Sequence, residues 1–267
     1  VRPKRSKKLY KDYGFRVEKI LDTPETEKKP RYSPDGEKIA FIRNQGTLYV
    51  MDKDGKNLER LCDRNDVLWL DWSPDSRWIA FSRTEMSWRE DVYVVPIFKK
   101  MEPFNITQHA NDDYKPMWSS DGRRLTFASR NPEGDLWIKY VFLREEDEDK
   151  DREYWEEMED SLKLEGKVKI DFEGIRDRIH TVAKFRGRYN YWTQSKKGTV
   201  FAITVEDVNG KKDIWSVNWF GEEIKRLTKG DTDPKMFLFS NDGKKVYYLT
   251  KKGEIKRVDI SSLEKED

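Results

Sequence analysis

The sequence repeats one phrase, which first reads Tyr32-Ser33-Pro34-Asp35-Gly36-Glu37-Lys38-Ile39-Ala40-Phe41. In this phrase an aromatic residue ends a strand, a tight Ser-Pro-Asp-Gly turn follows, and an apolar strand begins. Further copies start at Trp72, Trp118 and Phe239, and a degenerate copy lies at 193–201. Successive copies are roughly 40, 46, 76 and 45 residues apart, and a period near 40–45 is typical of β-propeller blades. The repeat therefore predicts an all-β protein, a β-propeller of four-stranded blades.

Five blade repeats can be counted, but the last offers only three strands, at 236–239, 245–250 and 254–260. The near-alternating segment 15–21 resembles the closing strand of a repeat, so it would supply the missing fourth strand. A ring of five blades closed by this segment is one hypothesis. The other is that the chain is part of a six- or seven-bladed ring. Closure is slightly favoured, because an open ring leaves strand edges unpaired and blade faces uncovered.

The wide spacing before the degenerate copy indicates an insertion in the third blade, predicted at 144–166. It is strongly acidic, and 151–162 lacks Pro and Gly and carries aromatic residues at helical spacing, which predicts a short surface helix. We expect its deletion to leave the fold intact, because insertions in repeat proteins usually lie in loops on one face. The predicted propeller spans 15–262, between a disordered basic lead-in at 1–14 and a tail at 263–267.

Composition excludes several classes of protein. Of the 267 residues 36% are hydrophobic, 39% are charged and 13% are aromatic, which suits short strands with large flat side chains inside and charges outside. The net charge of +2 creates no field that would favour nucleic acid or a membrane as a partner. The single cysteine, Cys62, cannot form an internal disulfide, so it does not identify the compartment.

Targeting signals are not predicted. No apolar stretch is long enough to cross a bilayer, and the basic residues of 1–8 are not followed by the apolar run of a signal peptide. Both the cytoplasm and the periplasm therefore remain open as the location, and the oligomeric state is not indicated.

Catalytic and metal-binding patterns are not recognised. The two histidines, His109 and His180, are predicted in a loop and on an outer strand, and no Gly-x-Ser-x-Gly elbow accompanies them. The spacing Asp147-x-Asp149-x-Asp151 starts like a calcium loop, but Arg152 stands at the loop glycine position. Cys-x-x-Cys and His-x-x-x-His spacings are absent from the sequence. We predict no catalytic residue, no metal and no cofactor.

Two sets of residues are singled out by the repeat. The aspartates of the blade turns are predicted to be structural, because Asp caps its own turn; they are Asp35, Asp75, Asp121 and Asp242. Four tryptophans fit the repeat less regularly and are the candidates for an exposed recognition surface; they are Trp69, Trp88, Trp192 and Trp219.

The Ser-Pro-Asp-Gly turn followed by Ile-Ala-Phe resembles the TolB-like propeller repeat, which is shared by TolB, prolyl-oligopeptidase-type peptidases and tricorn protease with its homologues. Two further stretches resemble tricorn-type propellers more closely. They are 141–148, leading into an acidic insertion that contains Trp155, and 168–179, where the blade resumes. The resemblance covers nearly the whole chain.

The resemblance implies a non-catalytic propeller of a tricorn-like serine peptidase that binds, filters or channels polypeptide. The peptidase domains of the same protein would then be its partner. Two alternatives are a free-standing TolB-like scaffold for protein–protein interaction and the propeller lid of a prolyl-oligopeptidase-type peptidase. The acidic insertion counts against the lid.

Overall fold

The computed structural model describes residues 2–3, 15–16, 18–62, 66–85, 88–108, 110–159, 161–185, 191–206, 209–230, 232–234 and 236–260. Within them the chain forms antiparallel β-sheets that follow one another along the sequence, with two short α-helices and one turn of 3-10 helix. The predicted all-β fold with four-stranded antiparallel sheets is therefore confirmed. The number of blades in a complete ring stays a prediction.

Within the described residues, five sheets are up-and-down meanders, each built on one copy of the repeated phrase. Ahead of the meanders, β1 (Arg2–Pro3) pairs with β2 (Phe15–Arg16). The first sheet contains β3 (Glu27–Tyr32), β4 (Lys38–Arg43), β5 (Thr47–Asp52) and β6 (Glu59–Arg60). The second contains β7 (Val67–Trp72), β8 (Trp78–Thr84), β9 (Glu90–Pro96) and β10 (Phe104–Asn105).

The later sheets keep the same order of strands. The third contains β11 (Asp112–Trp118), β12 (Arg124–Arg130), β13 (Leu136–Phe142) and β14 (Ile179–Phe185). The fourth contains β15 (Trp192–Gln194), β16 (Val200–Glu206), β17 (Lys212–Asn218) and β18 (Lys225–Arg226). The fifth contains β19 (Met236–Phe239), β20 (Lys245–Leu249) and β21 (Ile255–Asp259). Each repeated phrase thus forms the first two strands of a sheet and the turn between them.

The sheets stack face to face in chain order. In β4, Ala40 and Ile42 pack against the second sheet, whereas Ile39 and Phe41 point to the opposite face. The same alternation continues along the chain, so that each inner sheet contributes one apolar face to each neighbour. This is the two-sided burial that stacked blades require, because side chains alternate along a strand.

The insertion packs more deeply than the sequence indicates. It contains α1 (Glu145–Glu148) and α2 (Arg152–Met158), and a 3-10 turn (Ile175–Arg178) follows it before β14. Trp155 of α2 is only 2% exposed and its ring lies 5.3 Å from Phe142 and 5.7 Å from Trp219. Helix α2 therefore completes the packing between the third and fourth sheets. These contacts argue against the expectation that the insertion can be deleted without loss of the fold. None of the described helices is long and apolar enough to cross a membrane.

The N-terminal segment differs from its prediction. Instead of one strand over 15–21 completing the fifth sheet, β2 ends at Arg16 in the described residues and pairs with Arg2–Pro3, within the stretch predicted to be a disordered lead-in. Leu21 packs on the outer face of the first sheet. A Cβ added to Gly55 would lie 2.3 Å from the Ile20 carbonyl oxygen. The segment therefore docks on the first sheet, because Gly55 leaves room for its backbone.

The fifth sheet has three strands among the described residues. Its inner face, including Phe237 and Val246, packs on the fourth sheet. Its outer face exposes large apolar side chains, which are Met236, Leu238, Tyr247 and Ile255. The stack thus has an uncovered apolar face at this end.

Candidate binding site

A cavity of about 830 Å³ opens along the edge of the stacked sheets at which the repeated turns lie. Turns of all five sheets line it, together with the C-terminal part of the insertion. Contributing residues include Pro34, Pro74, Ser119, Ser195, Asp242 and Leu164. The cavity collects one equivalent turn from every repeat because the sheets stack in register.

The turn aspartates have one common geometry. The carboxylate of Asp35 accepts hydrogen bonds from Ser33 Oγ at 2.6 Å and from the backbone N–H of Glu37 at 3.0 Å. Asp75, Asp121 and Asp242 accept the corresponding bonds from the serine two residues before and the N–H two residues after. With these acceptor sites occupied, the geometry supports a turn-capping role for the four aspartates.

Two of these turns also connect neighbouring parts of the chain. Asp75 Oδ2 accepts from the backbone N–H of Val168, in the segment that returns from the insertion, at 2.8 Å. Ser76 Oγ accepts from the N–H of Asp35 at 3.1 Å. These bonds tie the cavity rim of one sheet to the next.

The four candidate recognition tryptophans divide into two pairs. Trp88 is 89% exposed, and Trp69 keeps more than a third of its surface exposed. Trp192 and Trp219 are both 2% exposed, so their prediction as exposed recognition residues is corrected. Both belong to the apolar cluster between the third and fourth sheets, where Trp155 of the insertion lies against Trp219 and Phe201 lies beside Trp192. Only Trp69 and Trp88 remain as candidates for recognition.

The described histidine has a local partner. His180 lies on β14, where its Nε2 is 2.8 Å from Glu148 Oε2 and its ring stacks on Tyr140. His109 lies outside the described residues. The described part of the chain contains no cluster of three or more His, Cys, Asp or Glu side chains that could hold a metal ion.

Several charged residues on the first strands were not identified from the sequence. Asp71 of β7 accepts the backbone N–H of Trp118 at 3.0 Å. Its pKa rises from 3.8 to about 6, mainly because of burial, although this hydrogen bond and the nearby Arg31 charge oppose the rise. Burial lowers the pKa of Lys115 to about 8, and the charge of Arg31 adds to the effect. The sequence signal that could have identified the lysines is a Lys-Pro pair shortly before the aromatic residue that opens the repeated phrase, present as Lys29-Pro30 and Lys115-Pro116.

Stacked four-stranded meanders around a turn-lined cavity define a propeller-type β-module with a candidate ligand site. The chain is 27% identical over 266 residues to a tricorn-like protease C-terminal subunit of Sulfurisphaera tokodaii, covering 93% of this chain and 28% of the relative. It is 30% identical over 102 residues to a tricorn protease homologue of Saccharolobus solfataricus, covering 37% of this chain and 9% of the relative. The chain thus spans under a third of either relative. No protein-family profile matches it.

Solved structures show the same fold. TolB from Agrobacterium tumefaciens superimposes with a TM-score of 0.62 at 18% identity, covering 90% of this chain and 79% of that one. Tricorn protease gives a TM-score of 0.64 at 13% identity, covering 88% of this chain and 25% of that one. At these identities the structures establish the fold alone. Together with the curated relatives they confirm the predicted resemblance to TolB-like propellers of tricorn protease and its homologues.

Proposed function

We propose that this chain is a non-catalytic propeller module of a tricorn-like serine peptidase, and that it binds polypeptide and passes or filters it. The observation that carries the proposal is the alignment to the tricorn-like subunit over 93% of the chain. The cavity at the blade turns, of about 830 Å³, supports it with a concave surface of the size that ligand sites typically have. Its lining combines polar turn side chains such as Ser119 and Asp242 with apolar ones such as Pro74 and Leu164, a mixture that suits an extended polypeptide.

The proposed partners are a polypeptide substrate and the peptidase domains of the same protein. Catalysis would reside in those domains. The described residues support this division of labour, since the only histidine among them pairs with Glu148 and stacks on Tyr140. A nucleophile–base pair in which the base is oriented by a third group is the arrangement that serine peptidases need, and His180 has no serine among its described side-chain partners.

A free-standing interaction scaffold is the second candidate. It is favoured by the share of the TolB structure that the chain covers, 79%, which exceeds the 25% of the tricorn protease structure that it covers. Under this hypothesis the chain binds a folded partner protein rather than extended polypeptide. The peptidase-lid hypothesis has support at the level of fold alone, from an acylaminoacyl peptidase of Pyrococcus horikoshii with a TM-score of 0.53.

The proposed function can be tested with purified protein and reduced, carboxymethylated casein as an unfolded polypeptide. We expect binding without hydrolysis, followed by fluorescence anisotropy of labelled casein and by gel electrophoresis. Hydrolysis that copurifies with the chain and disappears in His180→Ala would overturn the non-catalytic assignment. Preference for a folded protein partner over casein would favour the scaffold.

A pair of turn variants locates the binding site. Asn241 lines the cavity, whereas Lys252 lies in the other turn of the fifth sheet, away from it. Both are exposed turn residues, so neither substitution should affect folding. Asn241→Trp should weaken casein binding at least threefold by filling the cavity, and Lys252→Trp should leave binding unchanged. Equal effects of the two variants would place binding elsewhere.

A further inference from the structure

The second strand of each meander begins at the same position of the repeated phrase, five residues after its serine. Within the described sheets, three of these strands start with a basic residue, namely Lys38, Arg124 and Lys245. In the first sheet Lys38 faces Asp52 of the third strand, and its Nζ lies 2.8 Å from that carboxylate. In the fifth sheet Lys245 faces Asp259 in the same way, at 3.9 Å. An aspartate directly opposite therefore balances the cation in both sheets.

The third sheet keeps the cation but lacks the aspartate. Arg124 faces Phe142 of β13. It is only 1% exposed, whereas the side chains of Lys38 and Lys245 each keep 35% of their surface exposed. Among the described residues, no carboxylate lies within 4.0 Å of the Arg124 guanidinium. The third sheet thus buries a cation without the counter-charge that the repeat supplies elsewhere.

The contacts of the guanidinium leave two of its nitrogens without an acceptor. Its Nη2 donates to the carbonyl of Lys197 at 3.4 Å, which is long for a hydrogen bond. Its Cζ lies 3.9 Å from the ring centre of Trp219, and this cation–π contact is attractive but supplies no negative charge. The Nε and Nη1 atoms of Arg124 have no hydrogen-bond partner in the described part of the chain.

More distant acids offset the burial only in part. The charges of Asp121, Asp147 and Glu159 act to raise the pKa of Arg124, but burial outweighs them and lowers it. Asp121 is engaged by its own turn, and Asp147 accepts a hydrogen bond from Arg123. Because a guanidinium stays charged in proteins, the fold holds a buried cation that is incompletely balanced. Such an arrangement costs free energy unless an anion accompanies it.

The buried guanidinium lies directly behind one wall of the cavity. Lys197 and Glu159 both line the cavity, and the Lys197 carbonyl is the group that Arg124 contacts. Lys197 Nζ donates to the Glu159 carbonyl at 3.2 Å, which joins the two parts of this wall. A small ion can therefore reach Arg124 from the cavity by displacing one long hydrogen bond.

We propose that Arg124 binds a small inorganic anion of halide size between the third and fourth sheets. The anion takes the place of the carboxylate that Asp52 and Asp259 provide in the other sheets. The N–H groups of Nε and Nη1 donate charge-assisted hydrogen bonds to it. The site does not depend on polypeptide binding, and it links the stability of the interface between these sheets to the concentration of the anion.

Thermal unfolding of the full chain tests the site with chloride as the probe. Sodium gluconate replaces sodium chloride at constant ionic strength, because gluconate is too large for a position that is 1% exposed. We expect about 0.5 M chloride to raise the Tm by about 3–5 °C, as an anion does when it binds only the folded state and is present at roughly tenfold its Kd. An unchanged Tm of the wild-type chain would contradict the proposal.

Two variants at the same position of the phrase assign the effect. Arg124→Met keeps the length of the side chain without its charge, so the rise with chloride should disappear. Its Tm in gluconate should equal or exceed that of the wild-type chain, because a poorly balanced buried cation has been removed. Lys38→Met is the matched control and should keep the full rise. A rise retained in Arg124→Met, or lost equally in both variants, would overturn the site.

A second measurement needs no variant and holds if Arg124→Met fails to fold. Crystals of the wild-type chain grown with sodium bromide show bound bromide by its anomalous scattering. We expect a peak within hydrogen-bond distance of Nε or Nη1 of Arg124. Peaks confined to exposed lysines would indicate an adventitious ion only and would rule out the site. A water molecule or the Glu159 carboxylate at this position would rule it out equally.

Discussion

At the scale of single residues, burial changes how much the same pair of hydrogen bonds contributes to the free energy of unfolding. Asp121 and Asp242 occupy the same position of the repeated phrase and accept the same two bonds. Asp121 is buried, whereas Asp242 is exposed. If the carboxylate is removed, water can accept the hydrogen bonds in the turn of Asp242 but not in the turn of Asp121.

We therefore expect Asp121→Ala to lower the free energy of unfolding by about 1–3 kcal/mol, because Ser119 and Arg123 lose a buried acceptor. Asp242→Ala should cost less than about 1 kcal/mol, since its donors remain hydrated. Urea denaturation followed by tryptophan fluorescence measures both. Equal losses would mean that burial does not set the strength of the cap.

Asp71 illustrates how a buried carboxylate makes stability depend on pH. Its pKa is raised from 3.8 to about 6 in the folded chain, chiefly by burial. The folded state therefore holds a proton that the unfolded state has released between these values, and this contribution to stability is lost as the pH rises through that window. The full shift would correspond to about 3 kcal/mol. Because Asp71 keeps some exposed surface, we expect about 1–2 kcal/mol.

Asp71→Asn should remove this loss, because the amide oxygen can still accept the N–H of Trp118 but carries no charge. The variant should be more stable than the wild-type chain at pH 7 by about 1–2 kcal/mol, with little difference at pH 4. Urea denaturation across this pH range tests the prediction. A stability difference that does not change with pH would contradict it.

At the scale of elements, the insertion behaves as part of the core rather than as a surface loop. Trp155 stacks on Phe142 of β13 and meets Trp219 edge to face. The Asp147 carboxylate, also from the insertion, accepts a hydrogen bond from Arg123 Nη1 at 2.5 Å. An element that supplies both apolar and charged contacts to two sheets cannot be removed without exposing them.

Two tryptophans provide a matched comparison. Trp155→Ala should lower the free energy of unfolding by about 3–5 kcal/mol, the usual cost of truncating a large buried side chain. Trp88→Ala, at a position that is 89% exposed, should change stability by no more than about 0.5 kcal/mol. Thermal or urea unfolding distinguishes them. A small effect of Trp155→Ala would restore the original expectation that the insertion is dispensable.

At the scale of the whole molecule, the stack has two different ends. The N-terminal segment partly covers the first sheet, and Leu21 contacts the cluster of Ile39, Phe41 and Met51. The opposite end presents Leu238, which is 60% exposed, while its neighbour Phe237 is 5% exposed on the inner face. These adjacent residues of β19 therefore report on the two faces of the last sheet.

Phe237→Ser should lower the free energy of unfolding by about 3–5 kcal/mol, because it removes a buried ring. Leu238→Ser should change it by no more than about 0.5 kcal/mol, and it should reduce self-association seen by light scattering, since it removes exposed apolar surface. The two variants also test ring closure. A loss in Leu238→Ser comparable to that in Phe237→Ser would show that another sheet covers this face in solution.

Local chemistry explains why much of the fold was predictable. The turn phrase needs only neighbouring residues to form, because Ser and Asp bond within the turn and Gly36 takes a φ of 74°. The continuous apolar run Ile39-Ala40-Phe41-Ile42 in β4 likewise indicates a strand buried on both faces. Burial of Trp192 and Trp219 was not predictable, because both pack into a cluster of residues that are distant in sequence, in which Trp155 of the insertion lies against Trp219.

By itself, the sequence determined the repeated strand–turn–strand unit, the position of the insertion and the capping chemistry of the turns. Only the tertiary structure decided that 20–21 dock on the first sheet, that α2 enters the core, and that Lys29 and Lys115 converge on Trp69. Turns and strands follow from interactions within a few residues. Convergence depends on how separate sheets stack and on the β-bulges at Lys29 and Lys115 that re-aim both side chains, and neither leaves a local periodicity in the sequence.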